Sequence, residues 1–378
     1  MADYIDRLLA PIIQNTQKFF PVTVITGPRQ SGKTCLCKHL FPEFNFVNLE
    51  DITSRSNAMR DPTRFIDQLG DNVIIDEVQN VPEILSMIQV RVDEYPDRRY
   101  ILTGSSNFKL LKSISQSLAG RAALFTLLPF SLSELKDRVR GETIDEIILK
   151  GLYPRVNAEG APFSIYYRSY YNTYVERDLR DLLKIKNLVA FDKFMRLLAA
   201  RIGTEFNASA IAREVGVSSV TIKEWLSILM TSYIVFPLTP YFLNVSKQLT
   251  KMPKIYFYDT GLTCFLLGIK NEEELRNHYL RGALFENLAI CELMKKSYNE
   301  GEEPRINFYR EKSGVEVDAV IEDGRSIHLF EIKSGATLRS DFLNNMKEVA
   351  SQFKCPVTNT VIFDGQSFPP TCVNIREI

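Results

Sequence analysis

The chain has 378 residues with 46 basic and 46 acidic side chains, which allows two or three compact units and leaves no net charge to favour a partner, so any nucleic-acid surface has to be local. Cysteines at 35, 37, 264, 291, 355 and 372 lack paired zinc spacing, three histidines add no cluster, and reduced, buried thiols in a cytoplasmic protein are expected. The opening MADYIDRLLAPIIQ carries acids where a secretory signal needs bases, and no apolar run approaches the ~20 residues that cross a bilayer, so a soluble chain with no membrane partner is expected.

Residues 1 to about 135 alternate the β-rich runs VTVIT, FNFVNL, NVIID and RYILTG with helical stretches, the pattern of a parallel sheet covered by helices. Between the first run and a helix starting near Thr34 lies GPRQSGKT, which fits GxxxxGK[ST]. Gly27 and Gly32 let the backbone of Gly27, Pro28, Arg29, Gln30, Ser31, Gly32, Lys33 and Thr34 curl so that its N–H groups surround phosphates at a helix N-terminus. Lys33 then pairs with the β and γ phosphates of ATP, and Thr34 ligates Mg²⁺. NVIIDEVQN ends a buried strand with Asp76, placed to hold the same Mg²⁺ through water, and Glu77, placed to polarise the attacking water. The run RYILTGSSN ends in Thr103, Ser105 and Asn107, three groups suited to sensing a γ-phosphate. The spacing does not choose among them; Ser105 is the one assigned to the nucleotide site. Arg121 in SLAGR is a candidate for stabilising transition-state charge across a subunit boundary of a homo-oligomer, or else a surface ion-pair residue.

Residues 136 to about 275 read as mostly helical. In NASAIAREVGVSSVTIKEWLSIL, Asn207 is a helix N-cap and Ala212 faces a tight turn at Gly216. Ile222, Trp225, Leu226 and Leu229 follow at helical spacing, which is helix–turn–helix punctuation. Ser218, Ser219 and Lys223 are expected to face outward, where a DNA reader places its contacts. Lys247, Lys251 and Lys254 in NVSKQLTKMPK form a basic wing for phosphates. The other reading is an architectural winged helix that packs on the first unit or mediates assembly. YVERDLRDL carries Glu176, Arg177, Asp178, Arg180 and Asp181 on one helical stretch, a solvated face with i,i+4 pairs.

From 276 to 378 a long helix precedes GVEVDAVIEDGRSIHLFEIKSG, followed by another helix and the strand-like TNTVIFD. Asp323-Gly324 between alternating β-branched residues predicts a two-residue hairpin turn. That register puts Asp318 opposite Leu329 and Glu316 opposite Glu331, and it gathers Glu316, Asp318, Glu331 and Lys333 on one half-buried face. Like-charged carboxylates there need a cation between them. Either Mg²⁺ or Mn²⁺ is held by Asp318 and Glu331, with Glu286 of LFENLAICEL as a further ligand and Lys333 orienting an activated water, or Lys333 simply pairs with Glu331 on a structural hairpin.

The ordered series GPRQSGKT, VIIDEVQ, ILTGSS, SLAGR, YVERDL, PKIYFYDTGL, LFEN, FYREKSGVEVDAVI and FEIKSG resembles the bacterial and archaeal predicted ATPases of the AAA superfamily that carry a C-terminal domain of uncharacterised function. The resemblance implies an α/β chain with an AAA-type P-loop parallel sheet (1–135), a helical winged-helix middle (136–275) and a restriction-endonuclease-like α/β domain of the PD-(D/E)xK kind (276–378). On this sequence the phosphate loop is Gly27 to Thr34, the metal and catalytic acids are Asp76 and Glu77, and the nuclease-like triad is Asp318, Glu331 and Lys333. The function this implies is Mg²⁺-dependent ATP hydrolysis acting on DNA, with a metal-dependent nuclease site. The alternative is an ATP-gated DNA-binding or protein-interaction switch with an inert nuclease fold.

Overall fold

The computed structural model describes residues 4–105, 117–173, 187–241, 252–311 and 313–378. Asn107, the charged run Glu176 to Asp181, Lys247 and Lys251 lie outside them. The first sheet comprises β1 (Val22–Thr26), β2 (Asn45–Asn48), β3 (Asn72–Asp76), β4 (Arg99–Thr103) and β5 (Ala122–Thr126), all parallel in the order β2-β3-β4-β1-β5. Its strands are apolar because both faces are covered. Val22, Val24, Val73, Ile75, Tyr100 and Leu102 pack on one side, and the alternate residues Ile25, Ile74, Ile101 and Phe125 on the other. Helix α1 (Lys33–Leu40) follows β1, and α2 (Ile84–Glu94) follows β3.

In the middle of the chain, α3 (Leu188–Ala200), α4 (Ala208–Val215) and α5 (Ser219–Thr231) form a small helical body. Asn207 Oδ1 accepts the Ala210 N–H at 3.0 Å, the expected N-cap, worth about 1 kcal/mol. Gly216 ends α4 in the left-handed region, φ 84°, where a side chain would be strained. Ile222, Trp225, Leu226 and Leu229 are buried as the spacing predicts, and Trp225 packs edge-on against Phe191 of α3. Ser218 and Lys223 are exposed and Ser219 is half-buried. The Ser218 hydroxyl accepts the Thr221 N–H at 3.0 Å, which gives it a capping role of its own.

The second sheet takes strands from both later segments. β6 (Val235–Pro240) and β7 (Lys254–Phe257) pair as a hairpin, and β6 joins β8 (Ile306–Arg310) in the order β12-β11-β10-β9-β8-β6-β7. Its other members are β9 (Glu316–Asp323), β10 (Ser326–Lys333), β11 (Val357–Phe363) and β12 (Cys372–Asn374). The sheet thus runs across the position near 275 where two units were expected to part. Between these strands lie α6 (Thr260–Leu267), the long α7 (Arg281–Asn299) and α8 (Asn344–Ala350).

The hairpin differs from expectation in two ways. Ser326 pairs with Asp323 and Leu329 with Val320, so the turn residues are Gly324 and Arg325, with Gly324 at φ 56°. The slide is by two places, which preserves the face of every side chain while changing its partner. Leu329 faces Val320 rather than Asp318, and continuing the register puts Asp318 opposite Glu331. A β-bulge also sets Asp318 and Ala319 against the single residue Phe308, because Asn307 pairs with Val320 but Tyr309 with Val317. It turns Val317 onto the face of Val320 and Leu329 and sends Glu316 to the other. The four charges therefore do not share one face.

Among the described residues no helix is long and apolar enough to cross a membrane. All six cysteines are free: Cys37, Cys264, Cys291 and Cys372 are buried, Cys355 is half-buried and Cys35 is exposed.

Candidate nucleotide site and a second charged site

The glycines of the phosphate loop have specific reasons to be glycine. Gly27 sits at φ 141°, and a Cβ there would lie 2.2 Å from the Leu127 carbonyl; Gly32 sits at φ 97°. Lys33 begins α1, and its Nζ donates to the Gly27 and Pro28 carbonyls at 3.1 and 2.8 Å. The side chain is thus folded back onto the backbone of the loop. Burial pushes its pKa down, against the pull of Glu77 and Asp76.

β4 lies between β1 and β3, so its last residue reaches the acid that ends β3. The Thr34 hydroxyl donates to Asp76 at 2.9 and 3.1 Å, and Thr103 Oγ1 donates to Asp76 Oδ1. This hydroxyl–carboxylate pair of hard oxygens suits Mg²⁺. Glu77 takes a left-handed backbone conformation, φ 56°, and lines a cleft of about 930 Å³ with Gln30, Gly32, Lys33, Thr34, Pro154 and Arg155. The Gln79 side chain amide donates to Glu77 Oε2 and, at 3.0 Å, to Ser105 Oγ.

Arg7, which the sequence reading passed over, is almost fully buried here. It donates to the Ser31 carbonyl of the phosphate loop at 3.0 Å, to Leu128 O at 2.6 Å and to Glu134 Oε1 at 3.0 Å. No local signal could have found it, since its partners Leu128 and Glu134 lie far along the chain. Arg7→Ala would strand a buried glutamate and is expected to cost roughly 3–5 kcal/mol, read as a fall in melting temperature. A surface-like loss of a few tenths of a kcal/mol would show that the pair carries no such weight.

Arg121 is engaged elsewhere. Its guanidinium makes a bidentate pair with Asp93 at 2.6 and 2.8 Å, and its carbonyl accepts the N–H of Val22 at the start of β1. It therefore belongs to the end of the sheet opposite its own phosphate loop.

The second charged site is built by lysines. Lys254, expected on a basic wing, is buried at the start of the edge strand β7, where its side chain reaches acids of β9 and α7. Its Nζ bonds Glu316 at 2.7 Å and Glu286 at 3.4 Å. Burial opposes the ammonium, but Glu286, Glu316 and Asp318 outweigh it and raise its pKa. Glu286 also accepts from the Tyr256 hydroxyl, so its Oε1 is already engaged by Tyr256 and Lys254. Lys333 Nζ bonds Glu331 Oε1 at 2.5 Å, while Glu331 Oε2 is buried with no hydrogen-bond partner among the described residues. Asp318 Oδ2 accepts the Ile332 N–H at 2.7 Å, where the β9–β10 ladder has run out. Burial, then Glu286 and Glu331, hold the Asp318 carboxyl well above the usual carboxylate range. Burial likewise raises Glu331, against the pull of Lys333. Asp318, Glu331 and Lys333 are thus brought together, but among the described residues no three acidic, cysteine or histidine side chains converge as a metal cage. The unpartnered Glu331 oxygen and the Asp318 carboxylate remain a fitting donor pair for a hard cation.

Three comparisons bear on this geometry. Residues 20–136 match an AAA domain, 141–273 a domain of unknown function (DUF8612) and 281–374 another (DUF4143). The uncharacterized protein Rv2008c of Mycobacterium tuberculosis is 31% identical over 325 residues, covering 84% of this chain and 71% of that one. An uncharacterized protein of Mycobacterium bovis matches to the same extent, and MJ1544 of Methanocaldococcus jannaschii is 24% identical over 344 residues, 79% of this chain and 72% of that one. Among solved structures, a Walker-type ATPase of Pyrococcus abyssi has TM-score 0.45 and 15% identity, with 70% of this chain and 96% of that one covered. The RuvB branch migration motor of Thermotoga maritima has TM-score 0.31 and 17% identity, with 60% and 86% covered.

Proposed function

We propose that this chain, which belongs to the same family as the two mycobacterial proteins and whose residues 20–136 form an AAA-type ATPase domain, hydrolyses ATP at the cleft above Lys33, Thr34 and Glu77. The observation that carries the reading is the bonding of Thr34 and Thr103 to Asp76 at the carboxyl ends of the strands, beside a lysine folded onto the Gly27 and Pro28 carbonyls of the phosphate loop. ATP phosphates take the loop N–H groups and draw Lys33 from the Gly27 and Pro28 carbonyls. Glu77 accepts a proton from the attacking water, the water oxygen bonds the γ-phosphorus, and the bond to the bridging oxygen breaks to leave ADP and phosphate. Thr34 and Asp76 would hold Mg²⁺, which when bound neutralises charge on the β and γ phosphates. Ser105 senses the γ-phosphate, and Arg121 acts from a neighbouring copy of a homo-oligomer.

The work is done on DNA. What supports this is the order of three helices and a β-hairpin, with Lys223 exposed on α5. At the C-terminal end, Asp318 and Glu331 would hold a divalent cation beside Lys333, as a metal-dependent nuclease requires. A second reading, an inert nuclease-like fold, is favoured by one observation: Lys254 and Lys333 already engage Glu286, Glu316 and Glu331. In both, the chain is read as an ATPase segment 1–135, a winged-helix segment 136–275 whose β6 and β7 join the second sheet, and a nuclease-like segment 276–378. Phosphate release by the full chain, with and without duplex DNA, tests the common part. Wild type is expected to hydrolyse ATP, faster with DNA, and Lys33→Ala to lose at least ~100-fold. Equal rates in the two proteins would remove the nucleotide site from Lys33, and indifference to DNA would remove DNA as the partner.

A further inference from the structure

The short 3₁₀ turn Val78–Asn80 that follows β3 folds Gln79 back over Glu77. The Gln79 carboxamide nitrogen is shared between Glu77 Oε2 and Ser105 Oγ, so one side chain ties the acid ending β3 to the hydroxyl just past β4. Its carbonyl oxygen is buried, with no hydrogen-bond partner among the described residues. Glu77 stands just past the end of β3 in a left-handed backbone conformation, and the Gln79 carboxamide donates directly to its carboxylate. We propose that Gln79 is the positioning residue of the nucleotide site: its carboxamide orients Glu77 and ties that orientation to Ser105.

The inference rests on the ATPase reading above and adds a consequence. Ser105 has a single hydroxyl proton, so a γ-phosphate oxygen that takes it leaves the hydroxyl oxygen still accepting from Gln79. The Ser105–Gln79–Glu77 chain seen here is therefore kept, rather than broken, when a triphosphate binds. Gln79 touches neither the reacting atoms nor the loop, and it acts through Glu77.

Gln79→Met in the full chain tests this, because methionine fills similar volume without a donor. The expected result is a fall in kcat of at least ~10-fold with KM and the dissociation constant for an ATP analogue within about two-fold, since the lost contact orients the base rather than the substrate. Gln79→Ala should behave alike if Met folds poorly. In single-turnover experiments on a Glu77→Gln background, adding Gln79→Met should cost nothing further, the non-additivity of residues that act as a unit. A purely structural glutamine would lower the folded fraction in both backgrounds and leave kcat per folded molecule unchanged, which would overturn the proposal. So would an additive loss. Wild-type protein that fails to release phosphate would instead overturn the ATPase reading, and this inference with it.

Discussion

Glu77→Gln is expected to bind ATP within about two-fold of wild type and to hydrolyse it at least ~100-fold more slowly, since a positioned general base contributes typically ~10²–10⁴-fold. Glutamine keeps the length and the acceptor oxygen of the side chain, so the contact with Gln79 and the shape of the cleft survive. What is lost is the ability to take a proton. Binding depends on other groups: the loop from Gly27 to Thr34, the Lys33 ammonium and Asp76. Equilibrium titration with a fluorescent ATP analogue and phosphate release on the same preparation separate the two effects. Retention of more than a tenth of the rate would remove Glu77 as the base, and loss of binding would make it part of the nucleotide pocket instead.

Asp318→Asn should stabilise the protein near neutral pH by about 1–2 kcal/mol, the reverse of what losing a useful charge would do. Asparagine can still accept the Ile332 N–H through its oxygen, and it removes a carboxylate from beside Glu286 and Glu331. An acid whose folded pKa is raised above its unfolded value near ~3.9 binds more protons folded than unfolded. Its effect on stability is therefore most favourable at acid pH and worsens as pH rises from the unfolded pKa up to the folded one. Wild type should show a steeper decline than Asp318→Asn, in which only Glu331 of the pair remains raised. A divalent cation takes the place of the proton, so Mn²⁺ should raise the melting temperature of wild type at neutral pH and leave the variant unchanged. An asparagine variant less stable at neutral pH would mean that Lys333 makes the aspartate charge a net benefit. No response of wild type to Mn²⁺ would leave an ion-paired framework, the inert reading of this region.

The sequence was most informative where chemistry is local. GPRQSGKT could be placed because glycine conformations, a lysine and a hydroxyl at fixed spacing suffice to describe a phosphate loop, and the loop lies between β1 and α1 where it was expected. NVIIDEVQN likewise ends its strand at Asp76, and the buried positions of α5 follow from helical spacing alone. The hairpin was half legible: alternation found both strands and their charges, but the turn moved from Asp323-Gly324 to Gly324-Arg325. An Asp-Gly pair has a strong turn preference, but a slide of two places leaves Val320 and Leu329 on the same buried face, so alternation alone does not distinguish the two registers.

What the sequence by itself determined is thus the parallel sheet of the AAA domain, the place of GPRQSGKT between β1 and α1, and the place of Asp76 at the end of β3. Only the tertiary structure decided that Lys254 is a buried counter-ion rather than a wing cation, that a bulge divides the charges of β9, and that Arg7 braces Ser31 while bonding Glu134, 127 residues away. The difference has one physical cause. A phosphate loop is closed by backbone conformations within eight residues, whereas the fate of a charge is set by the partner that replaces its water, and that partner arrives only when distant strands pack.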